Sequence, residues 1–300
     1  MEELTKTAIA RFTTLKVGGE VHRLCQPTST DELIALMDRL KKSSEPWFIL
    51  GGGSNLLVSS EGFAGTVVRM TQMQRMEVPE PGVLEADAGV RLPHLAKYAA
   101  SMGLSGLEFA VGIPGTVGGA AVMNAGAHGS AMSEVTESVT LFDTETWKLV
   151  TLSREDMGFV YRSSSVDPAR HVVVSSRYRL TPDVAENIQA RTKHNEEYRW
   201  KTQPLNYPNA GSTFKNPEPT RGAGFLLDKA GAKNLKVGNA AVSAVHANFV
   251  INLGGATSHD ITSLLTRMQD VVYKTFEVRL HPEWKILGNF SESERQVWSG

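Results

Sequence analysis

The segment 209–217, NAGSTFKNP, places a hydroxyl, a primary amine and an amide within a few residues of one another. Ser212 lies between a glycine and a threonine, and Lys215 and Asn216 follow it. Glycine, proline and asparagine are common turn residues, so an ordinary loop is one interpretation. The other is a hydroxyl held rigidly beside a basic group, where it could act on a substrate. This segment alone favours the ordinary loop, so the rest of the chain has to decide.

The apolar segment WFIL at 47–50 is followed by three glycines and two polar residues. We call these five residues the glycine run: Gly51, Gly52, Gly53, Ser54 and Asn55. Glycine lets backbone N–H groups approach a ligand closely, and successive N–H groups can hold phosphate oxygens without a lysine. The spacing matches neither the Walker A loop nor the dinucleotide fingerprint. A tight turn is the alternative, but three successive glycines cost backbone entropy, which favours a role in ligand binding.

The longest glycine-rich segment is 112–129, GIPGTVGGAAVMNAGAHG. Pro114 fixes one backbone angle, Thr116 supplies a hydroxyl, and small residues fill most of the remaining positions. An extended ligand could therefore lie against exposed backbone amides. The alternative is a close-packed helix that uses glycine for contact with a sheet. Together, residues 51–55 and residues 112–129 predict two glycine-rich loops that bind a large phosphate-bearing cofactor.

Composition limits the classes of protein to which the chain can belong. Its 300 residues include 31 basic and 32 acidic side chains, a net charge of −1, so nothing predicts attraction to nucleic acid or an anionic membrane. The single cysteine, Cys25, excludes an internal disulfide. The eight histidines show no metal-ligand spacing, so no metal site is predicted. With no signal peptide and no membrane-length apolar run, we expect a cytoplasmic protein, and we expect a monomer.

Helices and strands that could position these residues occur throughout the chain. Apolar periodicity and β-branched runs predict helices over 29–42, 92–103 and 257–277 and strands over 139–152 and 171–181. The charged segment 183–200 is expected to be a solvated helix or connector, with a domain boundary near residue 195. The mixed order of elements predicts an α+β fold.

Taken together, these segments resemble the UDP-N-acetylenolpyruvoylglucosamine reductases, flavoenzymes of peptidoglycan precursor synthesis. Matching runs cover most of residues 12–288 and include GGGSNLLV, GLEFAVGIPGTVGGAAVMNAGAHG, TQPLNYPNAGSTFKNP and HPEWKILG. The resemblance implies a vanillyl-alcohol-oxidase/PCMH-type FAD-binding domain over 1–195 and a C-terminal α+β substrate-binding domain over 196–300. The short connection after YRSS resembles the shorter, type II branch of the family.

The resemblance also implies the cofactors: FAD bound non-covalently, with NADPH as the reductant. The residues implied to contact FAD are Gly51, Gly52, Gly53, Ser54, Asn55, Gly112, Pro114, Gly115, Thr116, Gly118, Gly119, Asn124, Ala125 and Gly126.

The reaction implied by the resemblance is reduction of UDP-N-acetylglucosamine enolpyruvate, the small-molecule partner, by a hydride from flavin N5. Ser212 would give the proton to the neighbouring carbon, a role that depends on fixed geometry because a serine hydroxyl is a weak acid. Arg162 and Glu283 would stabilise the charge that develops on the substrate carboxylate. The residues implied to bind substrate are Tyr161, Lys215 and Asn216, although a core role for the tyrosine fits equally well.

Two other functions fit parts of the same pattern. One is another FAD oxidoreductase of the same fold, such as a sugar or lactone oxidase, which has no need of a proton donor to carbon. The other is a non-catalytic flavin-binding protein, which has no need of Ser212, Arg162 and Glu283 together. His128 and His246 could serve as general acids, but a lone histidine is more often structural.

Overall fold

The structure, a computed structural model, describes residues 1–218 and 220–299 and divides the chain into two units. Unit 1 contains Met1–Leu4, Arg23–Gly52 and Gly65–Arg199. Unit 2 contains Thr5–His22, Gly53–Ala64 and the chain from Trp200 onward. Unit 2 combines two N-terminal segments with the chain after Arg199, whereas the predicted domain boundary divides the chain once, at residues 195–196. That boundary stays a prediction.

Helices and strands are mixed along the chain, with several strands in succession between some helices. The helices are α1 Thr30–Ser43, α2 Leu92–Ser101, α3 Val117–Met123, α4 Ala185–Thr202, α5 Ala223–Lys229, α6 Ser258–Phe276 and α7 Glu292–Arg295. The strands are β1 Glu2–Ala8, β2 Glu20–Gln26, β3 Trp47–Leu50, β4 Leu56–Val58, β5 Phe63–Arg69, β6 Met76–Glu80, β7 Val83–Asp87, β8 Leu104–Ser105, β9 Gly126–Ala127, β10 Ser130–Ala131, β11 Thr136–Asp143, β12 Lys148–Ser153, β13 His171–Arg179, β14 Thr181–Pro182, β15 Lys236–Val237, β16 Ala240–Val242, β17 Val250–Asn252 and β18 Lys285–Leu287. This mixture is that of an α+β fold.

Unit 1 is built around an antiparallel sheet of order β12-β11-β13-β7-β6. In its central strand β13, His171 is followed by three consecutive buried valines, the pattern expected of a strand that is covered on both faces. Val139 of β11 lies opposite Ser176 of β13, which sets the register. In a second sheet, β3 runs parallel to β5 with Leu50 opposite Arg69, so the glycine run leaves the sheet at a defined point.

Unit 2 is built around the amphipathic helix α6. Thr257 caps it in a capping box with Asp260. Its buried side chains Ile261, Leu265 and Met268 share a core with Phe214 and Trp284. The antiparallel sheet β15-β16-β17 and the parallel pair β4 and β18 complete the unit. Within the described part of the chain, no helix has both the length and the apolar character needed to cross a membrane.

The three predicted helices are confirmed, because each has local signals that survive without tertiary context. In α1, the Ser29 hydroxyl accepts a hydrogen bond from the Glu32 N–H at 3.2 Å. The Glu32 carboxylate accepts from the Thr28 N–H at 2.9 Å and not from the Ser29 N–H, so Ser29 and Glu32 form only half of a capping box.

The prediction that residues 112–129 form a loop throughout is wrong over Val117–Met123, which form the helix α3. Gly118 lies against the end of β7, and a Cβ atom there would stand 3.0 Å from the Ala88 Cβ. Its N–H donates to the Ala88 carbonyl at 2.9 Å. The glycine therefore serves helix–sheet packing, the alternative that the sequence left open.

The buried thiol of Cys25 provides a test of the packing in unit 1. The side chain is fully buried, and burial raises its pKa to about 11. Since the thiolate is the reactive form, we expect native protein at pH 8 not to react with Ellman's reagent. Protein unfolded in guanidinium chloride should release one thiol equivalent per chain, matching the single cysteine. Rapid and complete reaction of the native protein would contradict this packing.

Candidate active site

Ser212 lies on an extended segment of unit 2 that is tied to its neighbours on both edges. The Thr213 N–H donates to the Asn248 carbonyl at 2.8 Å. On the other edge, the Thr213 carbonyl accepts from the Glu283 N–H at 2.8 Å. Before the serine, Gly211 has φ of +75° and donates its N–H to the Asn209 side chain at 3.0 Å. The glycine turn and the strand-like contacts together fix the backbone at Ser212.

Glu283 lies on the extended segment that pairs with the serine segment. Phe214 and Pro282 form an antiparallel bridge, and the Lys215 N–H donates to the His281 carbonyl at 3.0 Å. Glu283 itself is half-buried. Two of the predicted catalytic residues, Ser212 and Glu283, are therefore carried by neighbouring backbone segments of one unit.

The end of the glycine run belongs to the same part of unit 2. The Asn55 side chain donates to the Glu283 carbonyl at 3.3 Å, and the Asn55 carbonyl accepts from the Lys285 N–H at 3.0 Å. Parallel pairing of β4 with β18 continues this contact. A Cβ atom on Gly211 would stand 4.0 Å from the Ser54 carbonyl oxygen. Unit 2 thus gathers Ser54 and Asn55 beside the two predicted catalytic residues.

Unit 1 holds Arg162 next to the residues predicted to line the cofactor. Its guanidinium donates to the Gly126 carbonyl at 3.1 Å and lies 5.1 Å from the Tyr161 ring centre. The Asn124 side chain donates to the Val160 carbonyl at 3.1 Å. Arg162 has a φ angle of +56°, a left-handed conformation that is unfavourable for arginine, whereas the φ of +40° at Asn124 is that of a normal helix C-cap at the end of α3. Such strain is typical of functional sites.

The start of the glycine run lies against Pro114, Gly115 and Thr116, and we call Gly51, Gly52 and these three residues the glycine cradle. A Cβ atom on Gly51 would stand 2.4 Å from the Thr116 hydroxyl oxygen, and one on Gly52 would stand 3.1 Å from the Pro114 carbonyl. Thr116 is 1 % exposed, and its hydroxyl has no hydrogen-bond partner among residues 1–218 and 220–299. A buried hydroxyl without a partner is unfavourable, so the cradle suits a polar ligand.

The remaining predicted cofactor residues are fixed by backbone contacts within unit 1. The Gly115 carbonyl accepts from the Leu92 N–H at 3.0 Å, and the Val117 N–H donates to the Val90 carbonyl at 2.9 Å. The Ala125 N–H donates to the Ala120 carbonyl at 3.0 Å at the end of α3. Gly112 is contacted from α4, and a Cβ atom on Gly119 would stand 3.7 Å from the Thr116 hydroxyl oxygen.

Arg199 is a residue that the sequence interpretation missed. It lies near the end of α4, the segment expected to be solvated, yet its guanidinium donates to the Gly112 carbonyl. Burial lowers the pKa of Arg199. A Cβ atom on Gly112 would stand 3.2 Å from the Arg199 Cδ. The arginine therefore fixes the start of the segment 112–119, and no local signal distinguishes it from the other charges of α4.

The predicted substrate residues on unit 2 follow the serine segment. Lys215 is half-buried and Asn216 is exposed. The Asn216 side-chain oxygen accepts from the Ala223 N–H at 3.0 Å, which ties it to the start of α5. On unit 1, Tyr161 is 54 % exposed, so the core alternative for this tyrosine is wrong.

Both histidines that were considered as acids have structural contacts. The Nδ1 atom of His246 accepts from the Asn248 N–H at 3.1 Å, and its ring packs edge-on against Phe249 at 4.9 Å. Burial lowers the pKa of His246, with a smaller contribution from Lys233. His128 packs edge-on against Tyr198 at 5.4 Å, and burial likewise lowers its pKa. Each histidine has contacts that a structural role explains.

Comparison with known proteins gives matches over almost the whole chain. A model described as FAD binding domain matches residues 21–153, and one described as UDP-N-acetylenolpyruvoylglucosamine reductase, C-terminal domain, matches residues 203–287. A reductase of that name from Prochlorococcus marinus is 42 % identical over 94 % of this chain and 92 % of its own length. One from Caldicellulosiruptor saccharolyticus is 40 % identical over 97 % of this chain and 93 % of its own. These matches confirm the predicted fold class.

A solved structure is also similar over nearly the full length. The crystal structure of UDP-N-acetylenolpyruvylglucosamine reductase from Thermus caldophilus superposes with a TM-score of 0.81 at 36 % sequence identity. The match covers 95 % of this chain and 98 % of the other.

Gly53 provides a test of the close packing at the glycine run in unit 2. Its φ is +65°, and a Cβ atom there would stand 2.5 Å from the Phe12 carbonyl oxygen. Gly231, with φ of +75° and nothing within 4 Å of a Cβ, is the matched control for backbone conformation alone. We expect Gly53→Ala to lower the free energy of unfolding by ~1–3 kcal/mol more than Gly231→Ala in urea titrations, because only Gly53 is overpacked. Equal losses would show that the close approach to Phe12 is not present in solution.

Proposed function

The chain belongs to the UDP-N-acetylenolpyruvoylglucosamine reductase family, and we propose that it reduces UDP-N-acetylglucosamine enolpyruvate to UDP-N-acetylmuramate with FAD and NADPH, in peptidoglycan precursor synthesis. The observation that carries the proposal is the pairing of the Ser212 segment with the Glu283 segment. The Thr213 carbonyl and the Glu283 N–H join them at 2.8 Å. A hydroxyl and a carboxyl group held on adjacent rigid segments suit proton donation to carbon and recognition of a carboxylate.

The residues of the glycine-rich segments fit FAD. At the glycine cradle, glycine lets residues 51 and 52 lie directly against residues 114–116, and the partnerless Thr116 hydroxyl supplies hydrogen-bonding capacity for a polar group such as a diphosphate. We propose that FAD is held by the residues Gly51, Gly52, Gly53, Ser54, Asn55, Gly112, Pro114, Gly115, Thr116, Gly118, Gly119, Asn124, Ala125 and Gly126. When bound, FAD supplies hydride transfer from NADPH to the enolpyruvyl carbon farther from the carboxylate.

Ser212 is proposed to give its hydroxyl proton to the carbon beside the carboxylate. Hydride addition leaves negative charge on that carbon and on the carboxylate, so the acceptor is a strong base and a weak acid suffices. The hydroxyl must be positioned closely, since the contribution of a positioned group falls steeply with misplacement. Hydrogen bonds on both edges of the segment provide that rigidity.

Arg162 and Glu283 are proposed to bind the substrate carboxylate. The planar, permanently charged guanidinium of Arg162 suits a carboxylate whose charge increases during the reaction. Glu283 would donate a hydrogen bond to the same group in its protonated form. Strain at Arg162, with φ of +56°, supports a role that the local fold alone does not require.

Further parts of the proposal concern the substrate contacts and the state of the protein. Tyr161, Lys215 and Asn216 are proposed to contact the nucleotide sugar. The FAD-binding domain is proposed to extend over 1–195 and the substrate-binding domain over 196–300. The expectations of a monomer in the cytoplasm also remain proposals.

The activity is tested on purified protein. We expect it to retain FAD, with the visible absorption of a flavin, and to oxidise NADPH rapidly only when UDP-N-acetylglucosamine enolpyruvate is added. The product should be UDP-N-acetylmuramate by mass spectrometry. A colourless protein would contradict cofactor binding, and oxygen consumption on a sugar without the enolpyruvyl compound would point to an oxidase instead.

The role of Ser212 is tested by following the two half-reactions separately in stopped-flow experiments. In Ser212→Ala, NADPH should reduce the flavin at the normal rate, because no proton from serine is needed in that step. Reoxidation by the enolpyruvyl sugar should slow by about 10²- to 10⁴-fold, the range for loss of a positioned acid. Ser258→Ala is the control: Ser258 is buried in unit 2, and its hydroxyl oxygen accepts from the Ser60 N–H at 3.0 Å. Normal reoxidation in Ser212→Ala would remove the serine from the mechanism.

A further inference from the structure

Asn248 contacts both of the residues that directly follow Ser212. Its backbone carbonyl accepts from the Thr213 N–H at 2.8 Å. Its side-chain oxygen accepts from the Phe214 N–H at 3.0 Å, and its side-chain nitrogen donates to the Phe214 carbonyl at 2.9 Å. The side chain is 3 % exposed. One buried carboxamide therefore satisfies both backbone groups of Phe214, as a paired strand would.

The chemistry of this contact restricts the residue type. It needs one donor and one acceptor on the same short planar group, which only a carboxamide or a protonated carboxyl provides. An ionised aspartate has no donor, and alanine leaves a buried N–H and a buried carbonyl without partners, which is costly. Asn248 thus has a hydrogen-bonding role that neighbouring apolar residues cannot share.

Asn248 is itself held from the other side. The Asn248 backbone N–H donates to His246 Nδ1 at 3.1 Å. The His246 backbone N–H in turn donates to the Ser243 hydroxyl oxygen at 3.4 Å. Beyond it, the Val250 N–H donates to the Thr213 hydroxyl at 3.3 Å. The contacts form a continuous series from His246 through Asn248 to the segment that carries Ser212.

We infer that Asn248 is a positioning residue for the reaction, which sets the backbone from which the Ser212 hydroxyl projects. The inference rests on the proton-donor role proposed for Ser212. The Glu283 edge of the segment is tied by backbone groups, so a side-chain substitution leaves it intact. On the opposite edge, the Thr213 N–H is bonded to the Asn248 backbone carbonyl, but both backbone groups of Phe214 depend on one side chain. Loss of the carboxamide should release Phe214 and loosen the backbone beside the serine while the fold of unit 2 is retained.

The chain offers a matched control for the loss of a buried asparagine. Asn252 is also 3 % exposed and lies in unit 2. Its side chain donates to the Leu15 carbonyl at 3.0 Å and accepts from the Gly254 N–H at 2.8 Å. It makes no side-chain hydrogen bond to residues 211–215 in the described part of the chain. Asn252→Ala should therefore weaken unit 2 without moving Ser212.

The experiment compares the half-reactions of FAD-loaded wild-type protein, Asn248→Ala, Asn248→Asp, Asn252→Ala and Ser212→Ala. We expect flavin reduction by NADPH to be unchanged in Asn248→Ala, and reoxidation by the enolpyruvyl sugar to slow about 10- to 100-fold, the effect of a small misplacement. A larger solvent deuterium isotope effect on reoxidation should accompany the loss. Asn252→Ala should lower the melting temperature comparably but leave both half-reactions at the wild-type rate.

Asn248→Asp keeps the shape and tests the hydrogen bonds directly. Burial should raise the pKa of the introduced carboxyl. As pH falls through that pKa, the protonated group regains a donor for the Phe214 carbonyl. The rate of reoxidation, divided by the wild-type rate at the same pH, should therefore rise. This readout stands even if Asn248→Ala fails to fold. A purely structural role predicts no such recovery.

Two outcomes would overturn the inference: wild-type reoxidation in Asn248→Ala, or equal slowing of both half-reactions. An Asn248→Asp variant that stays slow at low pH would also count against it. If Ser212→Ala stalls while Asn248→Ala reacts normally, only the role of Asn248 fails. If Ser212→Ala itself reacts normally, the proposed proton donor fails and the premise of the inference falls with it.

Discussion

The pairing of the 212–215 segment with residues 281–283 is the contact on which the proposed site depends. It brings a hydroxyl and a carboxyl group onto adjacent backbone segments, and it is made of backbone hydrogen bonds that tolerate many side chains. The end of the glycine run joins the same group through Asn55 and the Glu283 carbonyl. A weak acid such as serine is useful only if its position is fixed, and these contacts fix it.

Unit 1 depends on a different constraint, which is the close approach of two backbone segments at the glycine cradle. Glycine at positions 51 and 52 allows the chain to lie against Pro114 and Thr116, where a Cβ atom at 51 would collide with the Thr116 hydroxyl and one at 52 would be tightly packed. The partnerless hydroxyl of Thr116 and the left-handed conformation at Arg162 are both unfavourable in an isolated fold. Features of this kind are typical of a site that is completed by its ligand.

Sequence reasoning succeeded where the signal is local and failed where a contact partner lies far along the chain. Caps and apolar periodicity predicted α1, α2 and α6 because each helix carries its own signals. The same reasoning treated 112–129 as loop, because glycine in a helix is informative only when the packed surface is known. It also missed Asn248 and Arg199, whose roles depend on the carbonyl of Phe214 and that of Gly112.

The sequence by itself determined the kinds of chemical group, the α+β class and the resemblance to a reductase family, because residue type and order carry that information directly. Only the tertiary structure decided that Thr213 hydrogen bonds to Glu283, that Gly51 lies against Thr116, and that Asn248 holds Phe214. These contacts join residues far apart in the chain. Their formation depends on strand register and core packing, which arise only when the whole unit folds.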